Sequence, residues 1–123
     1  MHILVADDQE EILLLTKTLL ETKGYKVDTC ANGVEVIVKT RDFSYNLILL
    51  NLRMPEMNGY DTCSVLKSNK KTHKIPIIAF TAKPPKGEKE ELLEKGFDGF
   101  LEKPFRVQSL FKSVEEFLKI EVN

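Results

Sequence analysis

Tryptophan is absent from the 123 residues, and cysteine and histidine occur only twice each. Cys30 and Cys63 stand far apart with no Cys-x-x-Cys spacing. A disulfide framework and a thiolate metal site are both excluded on that ground, and the pair reads as reduced, partly buried thiols. His2 opens an apolar run and His73 sits in a polar linker, neither with a partner at metal-ligand spacing. No apolar run approaches the roughly 20 residues of a membrane span. The opening MHILVADD lacks the form of a signal peptide. A cytoplasmic location with no membrane partner is therefore expected. An excess of one charge is also missing. The 18 basic and 19 acidic residues leave a net charge of −1, so electrostatics gives no drive towards nucleic acid. Repeats, low-complexity stretches and interdomain linkers are lacking too.

What is present is ordinary globular composition, 42% hydrophobic and 30% charged. The length suits one domain, 1–123, with a core of its own. Five short apolar runs punctuate the chain: 3–6, 27–30, 47–50, 75–80 and 97–101. Most are unbroken rather than alternating, the pattern of strands buried on both faces. The second carries Asp28 and Thr29, as an outer strand would. The fifth is broken by Asp98 and Gly99 and reads as an edge.

Helical periodicity fills the gaps. Ile12, Leu15, Thr16, Leu19 and Leu20 form the expected inward stripe of a first helix, capped by Asp8 with Glu11 and ended by Gly24. Val34, Ile37 and Val38 mark a second helix, with Asn32 and Glu35 as a capping pair. Tyr60, Cys63 and Leu66 mark a third, opened by Asn58-Gly59. The fourth spans 88–95 after Pro84-Pro85 and before Gly96. Val107, Leu110, Phe111, Val114, Phe117 and Leu118 stripe the fifth, after Pro104. Strand and helix thus alternate five times, and right-handed crossovers place helices on both faces of a parallel sheet. The fold class is α/β, a doubly wound five-stranded (βα)5 sheet.

Open α/β sheets bind ligands beyond the carboxyl ends of their strands. The residues that follow the runs are therefore the candidates for a site. The first run delivers Asp7 and Asp8, the third Asn51, the fourth Thr81, and the fifth, past Glu102, Lys103. The second delivers only Ala31 and stands outside. Adjacent carboxylates repel, and a hard divalent cation compensates them; Mg²⁺ takes oxygen ligands and keeps waters for a substrate's oxygens. A hydroxyl and an ammonium beside it hold phosphoryl oxygens. Taken singly, Asp7-Asp8 is a cap, Lys103 a surface lysine and Thr81 a strand residue. The joint occurrence at four strand ends carries the reading.

These segments, HILVADD, LILLNLRMPEMNGYD, PIIAFTA and GFLEKPF, resemble the receiver domain of response regulators, the CheY-like family, over essentially the whole chain. The resemblance implies strand order 2-1-3-4-5. It implies a signalling module rather than an enzyme, accepting a phosphoryl group from a histidine kinase or histidine phosphotransfer protein with Mg²⁺ as cofactor. By the same resemblance Asp7, Asp8 and the backbone carbonyl of Arg53 are metal ligands. Thr81 is the switch hydroxyl, Lys103 the phosphoryl-contacting lysine before an often cis Pro104, and Phe100 the aromatic switch position. The fourth-helix, fifth-strand, fifth-helix face is the expected surface for an output domain or target. Leu14, off the inward stripe of the first helix, is a candidate contact for a kinase or phosphotransfer helix. Pro84-Pro85 would stiffen the loop after Thr81.

One position departs from the family. Asn51 stands where the family's phosphoacceptor aspartate falls. An amide carries no charge and its nitrogen lone pair is delocalised, so it is not an effective nucleophile towards phosphorus. The chain therefore reads as a non-phosphorylatable form with weakened Mg²⁺ binding. The intact remainder of the site favours a receiver whose aspartate has been replaced. The alternative is a natural pseudo-receiver acting as a phosphorylation-independent interaction module. Two rival classes fit less well. A flavodoxin-like flavin carrier needs a hydroxyl- and glycine-rich phosphate loop where Asp7-Asp8 stands. An aspartate-nucleophile phosphatase needs an Asp-x-Asp spacing that does not occur.

Overall fold

The computed structural model describes residues 1–82 and 88–118. Five strands, β1 (His2–Ala6), β2 (Lys26–Cys30), β3 (Leu47–Asn51), β4 (Ile77–Thr81) and β5 (Gly99–Glu102), alternate with five helices. The helices are α1 (Glu10–Glu21), α2 (Gly33–Asp42), α3 (Gly59–Lys67), α4 (Glu88–Glu94) and α5 (Val107–Phe117). All strand pairs are parallel, in the order β2-β1-β3-β4-β5. The expected fold class and strand order are both observed. Pro84-Pro85 lies outside the described residues.

The unbroken apolar runs follow from burial on both faces. Ile3, Val5, Leu47, Leu49, Ile78 and Phe80 point to one side, against Leu20 of α1 and Leu110 and Val114 of α5. Leu4, Ala6, Ile48, Leu50, Ile77 and Ala79 point to the other, against Val36 of α2, Cys63 and Leu66 of α3 and Leu92 of α4. Successive strand side chains alternate between these two cores. Both cysteines are buried and free, and burial pushes their thiols up, Cys30 to about 12 and Cys63 to about 11.

Local signals place most helix ends. The Asn32 side chain accepts from the Glu35 backbone N–H at 2.9 Å, and the Glu35 carboxylate receives the Ala31 N–H in return. Asn58 caps α3 by accepting from the Asp61 N–H. Gly24 and Gly96 take φ of +88° and +104° after α1 and α4.

Other expectations are corrected. Asp8 does not cap α1. Gln9 is the N-cap, without a side-chain bond, and its own N–H is received by Asp7 at 3.0 Å. Leu15 is exposed, while Leu13 is half-buried against the α1–α5 core. The rest of the predicted stripe faces inward: Thr16 and Leu20 are buried, and Ile12 and Leu19 are half-buried against the same core. On α2 the predicted stripe is not the buried one; Gly33, Val36 and Thr40 face the core instead. β4 and β5 each start two residues later than predicted. Just before β5 the Asp98 backbone N–H donates to the Ile77 carbonyl at 2.8 Å, while its carboxylate accepts from the Ile77 N–H at 2.8 Å and the Lys67 ammonium at 2.9 Å.

Candidate functional site

The sheet order places β3 between β1 and β4, so the last residues of those strands share one rim. Asp7 directly follows β1, Asn51 ends β3, Thr81 ends β4 and Lys103 directly follows β5. All four are buried polar residues, Asp7 completely. Asp8 is exposed beside them. Buried polar groups must be paired, and these pair with one another. The Lys103 ammonium donates to the Asp7 carboxylate and lies 4.7 Å from the centre of the Phe80 ring. The Lys103 backbone N–H donates to the Thr81 carbonyl at 2.7 Å, and the Lys103-Pro104 peptide is cis.

The centre of the rim is the Asn51 amide. Its nitrogen donates to Asp7 at 3.2 Å, to Asp8 at 3.2 Å and to the Arg53 carbonyl at 2.9 Å. Two N–H groups thus serve three acceptors. Its three partners are all acceptors, so the amide nitrogen rather than its oxygen faces them. Asp7, Asp8 and the Arg53 carbonyl are hard oxygen donors converging on one point, the donor type that Mg²⁺ prefers. The amide nitrogen stands at that point. Among the described residues no group of three acidic, histidine or cysteine side chains forms a metal site; two carboxylates and a carbonyl do converge. A cleft of about 270 Å³ opens beside them, lined by Asp8, Gln9, Asn51, Arg53, Thr81, Ala82 and Lys103. It has the hydroxyl and the ammonium of a phosphoryl-binding site, but its centre is a neutral amide.

The approach of α3 shapes the rim. A Cβ at Gly59 would stand 2.4 Å from the Asn51 carbonyl oxygen and 2.8 Å from the Leu52 Cα. Only glycine lets the start of α3 come this close to β3. Glu56, in the connecting loop, takes a left-handed φ of +68°.

Phe100 is half-buried on β5, against the core under α2, α3 and α4. It lines a groove of about 250 Å³ with Leu92, Leu93, Ser113 and Phe117. It is therefore not part of the rim. Leu14 is 68% exposed on α1, bordering a shallow cleft with Glu10, Leu13, Lys17 and Thr29. Sequence reasoning missed a polar cluster at the opposite end of the sheet. The Asp28 carboxylate accepts from the Tyr45 hydroxyl at 2.7 Å and pairs with the His2 ring at 2.8 Å. Burial alone would raise the Asp28 carboxyl, but the Tyr45 and His2 hydrogen bonds and the His2 charge outweigh it and hold it below its ordinary value. Burial, and then the hydrogen bond to and charge of the Asp28 carboxylate, push the Tyr45 hydroxyl up. The only sequence signal was an acid inside an apolar run.

The model of the response regulator receiver domain matches residues 3–115. The chain is 36% identical over 117 residues to the transcriptional regulatory protein ResD of Bacillus subtilis, covering 95% of this chain and 48% of that protein. It thus spans about half the length of ResD. It is 28% identical to the polar-differentiation response regulator DivK of Brucella anthropi, over 94% of each. Among solved structures, the chemotaxis response regulator CheY4 of Vibrio cholerae superposes with a TM-score of 0.89 at 27% identity, covering 94% of this chain and 97% of that one. The receiver domain of the sensor histidine kinase PA1611 of Pseudomonas aeruginosa, solved with a magnesium ion in its active-site cleft, gives 0.88 at 26% identity, over 97% and 98%.

Proposed function

The chain belongs to the response-regulator receiver family of two-component signalling, and from that premise we propose that it takes no phosphoryl group at position 51 and acts through binding. Receivers typically bind Mg²⁺. The residues that would hold it here are Asp7, Asp8 and the Arg53 carbonyl, and the ion would supply charge neutralisation for phosphoryl oxygens. The observation that carries the reading is the Asn51 amide, whose nitrogen donates to all three of those oxygens. A cation competes with this nitrogen, and turning the amide oxygen inward forfeits its bonds. Mg²⁺ binding is therefore weak. The same nitrogen, its lone pair delocalised, offers no nucleophile for phosphorus.

Thr81 and Lys103 remain as the hydroxyl and ammonium of the phosphoryl cradle, with Lys103 committed to Asp7. Partners are a histidine kinase or histidine phosphotransfer protein, met by α1 where Leu14 and Leu15 are exposed. An output domain or target is met by the α4, β5, α5 face, where Phe100 lines the groove and acts as the aromatic switch. The domain itself contacts no nucleic acid. No helix among the described residues is long and apolar enough to cross a membrane.

The test is incubation with Mg²⁺ and acetyl phosphate, read by intact mass. The chain should gain no phosphate, and Asn51→Asp should gain one that hydroxylamine removes. A hydroxylamine-labile adduct on Asn51 itself would overturn the proposal. The pseudo-receiver reading keeps one specific support: the amide satisfies the rim without any metal, so the resting site is complete by itself.

A further inference from the structure

β4 is aliphatic until its last two residues, Ile77-Ile78-Ala79-Phe80-Thr81. Phe80 lies opposite Asn51 on β3 and Leu101 on β5. It is completely buried and faces the core under α1 and α5 together with Leu101. Its ring therefore stands where the apolar core meets the polar rim. The Lys103 ammonium lies over the ring, 4.7 Å from its centre. Phe105 braces the ring, with centroids 5.5 Å apart and planes inclined at 42°. An aliphatic side chain would fill this part of the core as well as a ring does. A ring adds a negatively polarised face, and that face is turned to a cation.

The ammonium needs such a face. Lys103 is buried and loses most of its hydration, a loss that its neighbours must offset. Three N–H groups radiate from the nitrogen, yet among the described residues its oxygen partner is Asp7 alone. The Asp7 carboxylate is shared. Its other oxygen accepts from the Gln9 N–H at 3.0 Å and from the Asn51 amide at 3.2 Å. One carboxylate oxygen fixes how far the ammonium lies from Asp7 but not in which direction. The Phe80 ring supplies a second point of attachment, and in a water-poor setting a cation over a ring is held more firmly than at an exposed site. Carboxylate and ring together set the ammonium at the wall of the cleft it shares with Thr81 and Asn51.

We propose that Phe80 is the positioning residue for Lys103: its ring face, braced by Phe105, holds the ammonium beside Asp7 and aims it at the oxygens of a phosphoryl group entering the cleft. Phe80 touches no ligand and acts only through Lys103. The role rests on the reading of this cleft as a phosphoryl site, and the experiment separates a failure of that reading from a failure of this one.

The experiment replaces the Phe80 ring by its trifluorinated analogue, which keeps the shape of the ring and removes the negative charge of its face. Two readouts follow. In the metal-free Asn51 chain, the ¹H–¹⁵N signal of the Lys103 ammonium reports how firmly the group is held, because a mobile ammonium exchanges its protons with water too fast to be seen. In the Asn51→Asp background, phosphorylation by acetyl phosphate with Mg²⁺ is timed by intact mass. There the introduced carboxylate attacks phosphorus, the bond from phosphorus to the acetate oxygen breaks, and acetate leaves. The ammonium signal should be present with the native ring and lost with the fluorinated one, and phosphorylation should slow by about fivefold. Phe80→Leu should act in the same direction. Ile78→Val, which trims the same core two residues earlier on β4, should change neither readout. An ammonium signal missing with the native ring, a signal or a rate unchanged by fluorination, or equal effects from Ile78→Val would overturn the proposal. If Asn51→Asp takes no phosphate at all, the phosphoryl reading of the cleft fails, and the ammonium signal still decides whether Phe80 holds Lys103.

Discussion

Asn51→Asp puts a third carboxylate where a donor now stands. The amide nitrogen lies 3.2 Å from an oxygen of Asp7 and 3.2 Å from one of Asp8. Replacing it by a charged oxygen at the same place turns two attractive contacts into repulsive ones. As point charges at an effective dielectric near ~20, each would cost about 5 kcal/mol. Asp8 is exposed and water screens its share, while the Lys103 ammonium on Asp7 offsets part of the rest. Protonation sets a ceiling. The new acid escapes repulsion by taking a proton, and raising a carboxyl from about 3.9 to 7 corresponds to about 4 kcal/mol. In EDTA at pH 7 the variant should therefore be about 2–4 kcal/mol less stable than the Asn51 chain.

Mg²⁺ should reverse most of that difference. An ion bound only to the folded state adds about 1.4 kcal/mol at tenfold excess over its Kd and about 2.7 kcal/mol at a hundredfold excess. Urea melts followed by far-ultraviolet circular dichroism, with EDTA and with 10 mM MgCl₂, measure both effects. The chain lacks tryptophan, so backbone signal is the suitable probe. Equal midpoints for the two proteins in EDTA, or the same Mg²⁺ gain for both, would refute the reasoning, because the amide would then not occupy the point where the acidic oxygens converge.

Gly59→Ala should destabilise the chain by about 2–3 kcal/mol in the same urea assay, since the added methyl meets backbone atoms that cannot swing away. Thr16→Val should stabilise it by about 1 kcal/mol, because the buried Thr16 hydroxyl has no hydrogen-bond partner among the described residues and valine keeps its shape. Asp28 has a folded pKa below its unfolded one, so its contribution is present above the unfolded value near ~3.9 and is lost as pH falls through the folded value. Asp28→Asn should accordingly cost about 1 kcal/mol at pH 7 and progressively less as the pH falls through the folded value. Melts across pH 2–7 that show the same difference at every pH would remove the charge from this account.

The amino-acid sequence alone determined what depends on short-range chemistry. Unbroken apolar runs specify strands covered on both sides, because period-two alternation sends neighbouring residues into separate cores. Asn32 and Asn58 specify helix starts, because their side chains satisfy backbone donors three residues on. The acids, amide, hydroxyl and lysine at the strand ends were legible for a topological reason: a parallel sheet presents all its carboxyl ends on one edge. Tertiary structure decided what depends on several elements at once. Which face of α2 turns inward, and where the inward stripe of α1 ends, is set by the sheet and the neighbouring helices; that is why Val38 and Leu15 are exposed although their spacing suits burial. The partnership of His2, Asp28 and Tyr45 joins β1, β2 and the segment before β3, and no local pattern encodes it. The Asn51 amide faces the rim with its nitrogen only because three acceptors, from the ends of β1 and β3, meet around it.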